Sequence, residues 1–159
     1  PGIDDGAKTV EDSLALIKGF KELGVTEFIC TPHVMENYYP NTPETINNAL
    51  AVLKNGLKTN NLNAIKVEAA AEHMIDAGFE SKLEQNLIMP LAENYILIEM
   101  SFLQPSLNLF DMVEKIADRN LYPILAHPER YTFLHGKSKT LEGYKNKGML
   151  LQLNYRFLL

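Results

Sequence analysis

Cysteine is almost missing from this chain: Cys30 is the only one in 159 residues, which excludes an intramolecular disulfide framework and any cysteine-rich zinc site. Long apolar runs are missing too. The longest last only a few residues and no charged-then-apolar leader opens the chain, so the expectation is a cytoplasmic protein without membrane insertion. An excess of positive charge is also lacking. Lys and Arg number 15 against 20 Asp and Glu, a formal net charge of -5, and no nucleic-acid partner is expected from that balance. Neither an internal repeat nor a low-complexity segment interrupts the sequence. What is present is 46% hydrophobic residues, enough to bury a sizeable core in one domain, and a surplus of acids able to hold cations.

Periodicity places the elements. Apolar residues at Val10, Leu14, Ile17, Phe20 and Leu23 predict an amphipathic helix over 9–23, with Thr9 and Asp12 as a capping box and Gly24 as a stop. "TEFICTPH" reads as a short strand ended by proline, and Cys30 within it is expected to be buried. A polar loop from Val34 to Asn41 carries Tyr38 and Tyr39, able to line an aromatic entrance or to lie on the surface. Thr42 and Pro43 open a second helix with Ile46, Leu50, Leu53 and Leu57 at helical spacing. "AIKVEAAAEH" then reads as a buried strand, followed by a short helix over 79–85, the strand "YILIEMS", a helix over 107–119, the strand "YPILAH", a weak helix around 141–147 and "MLLQLN". Strands alternating with helices imply parallel pairing, as an open sheet or a closed barrel. In either architecture the ligand site lies beyond the carboxyl ends of the strands.

The residues at those ends are polar: Asp4 and Asp5 in an opening loop, His33, Glu72 and His73, Glu99, His127 and Arg130, Asn154 and Arg156. Singly, each is ordinary, since a loop acid is usually solvated and a strand-end histidine is often structural. Glu99 is different. It interrupts "ILIEM", a run that a parallel sheet buries on both faces, where an uncompensated carboxylate costs several kcal/mol, roughly. It calls for a cation. Alanines 69–71 leave room beside Glu72, and Gly6 permits a sharp turn after Asp5. A mixed carboxylate and imidazole set suits manganese, iron or zinc. His73 is expected to point away from its neighbour Glu72, and His135, in a polar loop, is left outside the site. A thiolate phosphatase mechanism at Cys30 is disfavoured, because the following "TPHVME" lacks both the glycine-rich backbone and the arginine of such a phosphate loop.

The succession "PGIDDGAKT", "CTPH", Glu72 after "AAA", "LIEMS" and "LAHPERY" resembles the capsule-associated branch of the polymerase and histidinol phosphatase superfamily, the bacterial metal-dependent tyrosine phosphatases, over essentially the whole chain. The resemblance implies an α/β fold, a distorted (βα)7 TIM-like barrel of parallel strands whose carboxyl-end loops bind a cluster of divalent metals. It implies hydrolysis of phosphotyrosine by a metal-activated hydroxide, on proteins such as the tail of a tyrosine kinase controlling polysaccharide export. Carried over residue by residue, it makes Glu72, Glu99 and His127 ligands of one metal site, with Glu72 bridging to another. Asp5 and His33 become ligands of a third. Arg130 matches an arginine that holds the substrate phosphate, and His33 is a further candidate for proton transfer.

Two motifs of that family are not in this sequence: an Asp-x-His-x-His directly before the "DDG" loop and a late Asp-x-His. The expectation is therefore a single domain over 1–159 that is incomplete at both ends and, by itself, inactive. Two other functions fit the same residues. One is a phosphoesterase for a small substrate such as histidinol phosphate; the other is a catalytically inactive scaffold that binds a kinase tail.

Overall fold

The structure, a computed structural model, describes residues 1–154. Arg156, named above among the strand-end residues, lies outside them. The chain divides into two compact units, Pro1–Ala71 and the part from Glu72 onward.

In the first unit, helix α1 (Val10–Glu22) starts where the capping box predicts. The Thr9 hydroxyl accepts the Asp12 N–H at 3.1 Å and the Asp12 carboxylate accepts the Thr9 N–H at 3.0 Å, satisfying two of the donors every helix start leaves over. Gly24 follows the helix at φ 88°. Helix α2 (Pro43–Thr59) is capped by Thr42, with Pro43 in the first turn. The two helices share an apolar core made by Leu14, Ile17, Leu53, Leu57 and Val67. Gly56 marks their close approach, because a Cβ there would stand 2.5 Å from a Val10 methyl. Strands β1 (Glu27–Cys30) and β3 (Lys66–Ala69) pair in parallel, Glu27 opposite Lys66 through Cys30 opposite Ala69.

Between them lies β2 (His33–Val34), only two residues long. The predicted single strand "TEFICTPH" is thus two segments, and Pro32 is the reason: it has no N–H to continue a ladder. Cys30 is half-buried rather than buried, a correction to the expectation, and desolvation pushes its thiol pKa up. That direction disfavours a reactive thiolate.

The second unit runs β4 (Glu72–Met74), α3 (Phe79–Glu84), β5 (Tyr95–Glu99), α4 (Leu109–Ala117), β6 (Tyr122–Ala126), α5 (Ser138–Asn146) and β7 (Leu150–Gln152). Strands β4, β5, β6 and β7 lie side by side in chain order, every pair parallel. Ile96 and Ile98 of β5, Met112 and Ile116 of α4 and Leu125 of β6 form the centre of its core. "AIKVEAAAEH" therefore spans β3 and β4 and is not one strand, so Glu72 begins a strand where the sequence pattern had it near the end of one. Two 3₁₀ turns, Pro128–Arg130 and Thr132–Leu134, link β6 to α5. The fold is mixed α/β with parallel strands, and no sheet among the described residues closes into a barrel. Among those residues no helix is long and apolar enough to cross a membrane.

Candidate metal centre

Pairing register decides which side chains of the second unit can meet. Glu72 lies opposite Leu97 and Met74 opposite Glu99, and in a pleated sheet residues two apart share a face, so Glu72 and Glu99 project to the same side. His73 takes the other side. There its Nε2 accepts the Met89 N–H at 3.2 Å and its ring meets the edge of Phe79, as expected for a residue outside the site. Burial, with Lys82 as a smaller contribution, lowers the His73 pKa to about 4.

His127 would miss the carboxylates if β6 simply continued. Leu125 pairs with Ile98, so an extended backbone would send residue 127 to the face opposite Glu99. Instead His127 adopts φ 34° and ψ 57° in the left-handed region, a conformation costing a non-glycine residue about 1–3 kcal/mol and concentrated at functional sites. The turn aims its imidazole at both acids. Nε2 stands 2.7 Å from a Glu72 carboxylate oxygen and 4.0 Å from one of Glu99.

All three side chains belong to buried residues: Glu72 is 8% exposed, Glu99 1% and His127 6%. Two carboxylates and one imidazole nitrogen converge here away from water, where ionised groups are costly unless they are paired or bound to a cation. The donor set fits a divalent cation. With Nε2 as ligand the ring proton sits on Nδ1, which is buried and has no hydrogen-bond partner among the described residues.

Tyr131 supports this arrangement from below. Its hydroxyl accepts the N–H of Met100, the residue after Glu99, at 3.1 Å, and its ring lies 5.8 Å from that of His127. Burial raises its pKa well above the ordinary range, which keeps the phenol neutral. Arg130 closes the first 3₁₀ turn, its N–H donating to the His127 carbonyl at 2.9 Å. Its guanidinium carbon lies 4.5 Å from the centre of the Phe102 ring.

The first unit builds a more open set. His33 Nε2 stands 3.4 Å from an Asp5 carboxylate oxygen, and the imidazole stacks on Tyr39 with ring centres 5.6 Å apart. Tyr38, by contrast, is exposed. Asp4 is a structural acid. Its carboxylate accepts the Gly6 N–H at 3.0 Å and the His33 N–H at 3.2 Å, fastening the opening loop to β2. Asn41 adds a second fastening, donating to the carbonyls of Ile3 and His33 at 2.9 and 2.8 Å.

Each unit thus brings its own candidates together: Asp5 with His33, and Glu72 with Glu99 and His127. Asn154 and His135 play other parts. The Asn154 side chain donates to Glu129 at 2.9 Å, and His135 Nε2 lies 2.9 Å from the Glu129 carbonyl. Sequence reasoning missed Tyr131, Phe102 and Asn41. For Tyr131 a signal existed, since it ends "AHPERY"; an aromatic one residue past the strand-end serine was a weaker sign for Phe102.

A parallel α/β fold with a buried carboxylate and imidazole cluster at its strand termini defines a candidate metal-binding α/β protein. The family description "Capsular polysaccharide synthesis, CpsB/CapC" matches residues 1–158, and the chain belongs to that family. It is similar to the tyrosine-protein phosphatase YwqE of Bacillus subtilis, 27% identical over 96% of this chain and 60% of the relative. It is also similar to the tyrosine-protein phosphatase CpsB of Streptococcus pneumoniae, 28% identical over 96% of this chain and 63% of the relative. A solved structure described under "Crystal structures of YwqE from Bacillus subtilis and CpsB from Streptococcus pneumoniae, unique metal-dependent tyrosine phosphatases" matches with TM-score 0.87 at 26% identity, over 96% of this chain and 62% of that one. The chain therefore spans about three fifths of the length of these relatives.

Proposed function

We propose that the protein carrying this chain is a cytoplasmic, metal-dependent phosphatase acting on phosphotyrosine in proteins, among them a kinase that controls polysaccharide export. The observation that carries the reading is the convergence of buried Glu72 and Glu99 on the Nε2 of His127. The names of the relatives support the substrate. On this reading Glu72, Glu99 and His127 hold a divalent cation, manganese or iron with zinc also compatible, and Asp5 and His33 serve as further ligands. Such a cation supplies Lewis-acid charge and lowers the pKa of water. Arg130 receives phosphate oxygens through its planar fork of donors, and His33, which opens β2 with its side chain 19% exposed, can also move a proton. A phenolate is a fairly good leaving group, so the demand on that acid is modest. The reading of the fold as a distorted (βα)7 barrel rests on the family resemblance and on the uniformly parallel ladders.

The test is metal analysis together with hydrolysis of a phosphotyrosine peptide by the full-length protein. Turnover should need manganese or iron, stop on chelation, and fall by about 10³-fold or more in Glu99→Gln with the fold retained. Full turnover in the presence of chelator, or in Glu99→Gln, would overturn the reading.

A further inference from the structure

Arg130 is exposed, yet it makes no ion pair and no side-chain hydrogen bond among the described residues. Its one described side-chain contact is the face of Phe102, 4.5 Å from guanidinium carbon to ring centre. The type of contact matters. A carboxylate partner takes up N–H donors of a guanidinium in hydrogen bonds, whereas the face of an aromatic ring attracts its charge without requiring them. An arginine held in this way has a defined direction and an unused fork, which is what recognition of a tetrahedral anion requires.

Phe102 is itself held. Its ring lies 5.8 Å from His127 and 5.9 Å from Tyr131, and its carbonyl accepts the Thr132 hydroxyl at 3.2 Å. It belongs to neither apolar core, and 39% of it remains exposed. It packs at the rim of the second unit's core, on Tyr131. The residues that fix it are the candidate ligand His127 and the turn that carries Arg130.

We propose that Phe102 is the positioning residue for Arg130, holding the guanidinium against its ring so that the N–H donors meet phosphate oxygens beside the His127 cluster. The inference rests on the reading of Arg130 as the phosphate-binding residue. It predicts that Phe102 sets phosphate affinity through Arg130 and through no other group.

The experiment is a double-mutant cycle in the full-length protein with manganese supplied, using inorganic phosphate as a competitive inhibitor and a phosphotyrosine peptide as substrate. Phe102→Leu should weaken phosphate inhibition by about three- to tenfold and raise KM more than it lowers kcat, with thermal unfolding unchanged. Phe102→Tyr, which keeps the ring, should restore inhibition to within about twofold of wild type. In an Arg130→Ala background, Phe102→Leu should add nothing further. Phe102→Met keeps much of the volume without the ring and reads the same effect if the leucine variant folds poorly. Independent, multiplying effects of the two substitutions would overturn the proposal, as would unchanged phosphate inhibition in both ringless variants. Failure of the underlying reading looks different: wild type would show no phosphatase turnover, or Arg130→Ala would inhibit with phosphate as well as wild type does.

Discussion

In the first unit the Asp5 side chain is 68% exposed and its partner His33 19%, while in the second unit the Glu99 and His127 side chains retain 2% and 8%. The same residue types are therefore held under opposite conditions. A solvated carboxylate beside an imidazole costs the fold almost nothing, and its interaction is worth about 0–1 kcal/mol. Buried carboxylates carry a desolvation cost of several kcal/mol, roughly, that their partners must offset. On the proposed reading the second unit would hold its candidate ligands in a preset and costly geometry, whereas the first would hold Asp5 and His33 at little cost.

The largest expected break of this contrast is at Glu99. Glu99→Leu should remove most of the stabilisation that manganese gives the wild type, because a buried candidate ligand is replaced by an apolar side chain of similar size while Glu72 keeps its contact with His127. Urea unfolding with and without manganese measures this, and a leucine variant stabilised by the metal as much as wild type would show that Glu99 is not a ligand.

A second test uses pH on the buried side of the comparison. The His73 pKa is lowered from 6.5 to about 4, so on acidification the unfolded chain takes up the proton first. Its contribution is present above about pH 6.5, declines as pH falls toward about 4, and is fully lost below, at most about 3 kcal/mol in all. His73→Gln keeps an acceptor for Met89 and does not titrate. The difference between wild-type and variant unfolding stabilities should carry that slope between those pH values, and a flat difference would contradict neutral burial.

The smallest effect is expected on the open side. Asp5→Asn should change metal-free stability by less than about 0.5 kcal/mol, since the carboxylate is mostly solvated. A loss comparable with a core substitution would erase the distinction between the two ligand sets.

Much of this is legible in the sequence. The capping box at Thr9 and Asp12, the start of α2 at Pro43 and the parallel ladders follow from local chemistry and hydrophobic period, which depend on neighbours along the chain. Glu99 stood out for a related reason: a charge inside "ILIEM" contradicts its own surroundings. Boundaries near Pro32 and at alanines 69–71 were less legible, because whether an extended segment is one strand or two depends on which partners accept its hydrogen bonds.

The amino-acid sequence alone determined the alternation of helices with parallel strands, the family resemblance and the candidate metal ligands, because these are carried by residue type and spacing. Only the tertiary structure decided that His127 leaves the face its strand assigns to it, that Tyr131 fastens the backbone beside Glu99, and that Arg130 lies over the ring of Phe102. Each of those depends on a contact between residues distant in sequence or on a strained backbone angle, and such an angle persists only when the packing around it outweighs its local cost.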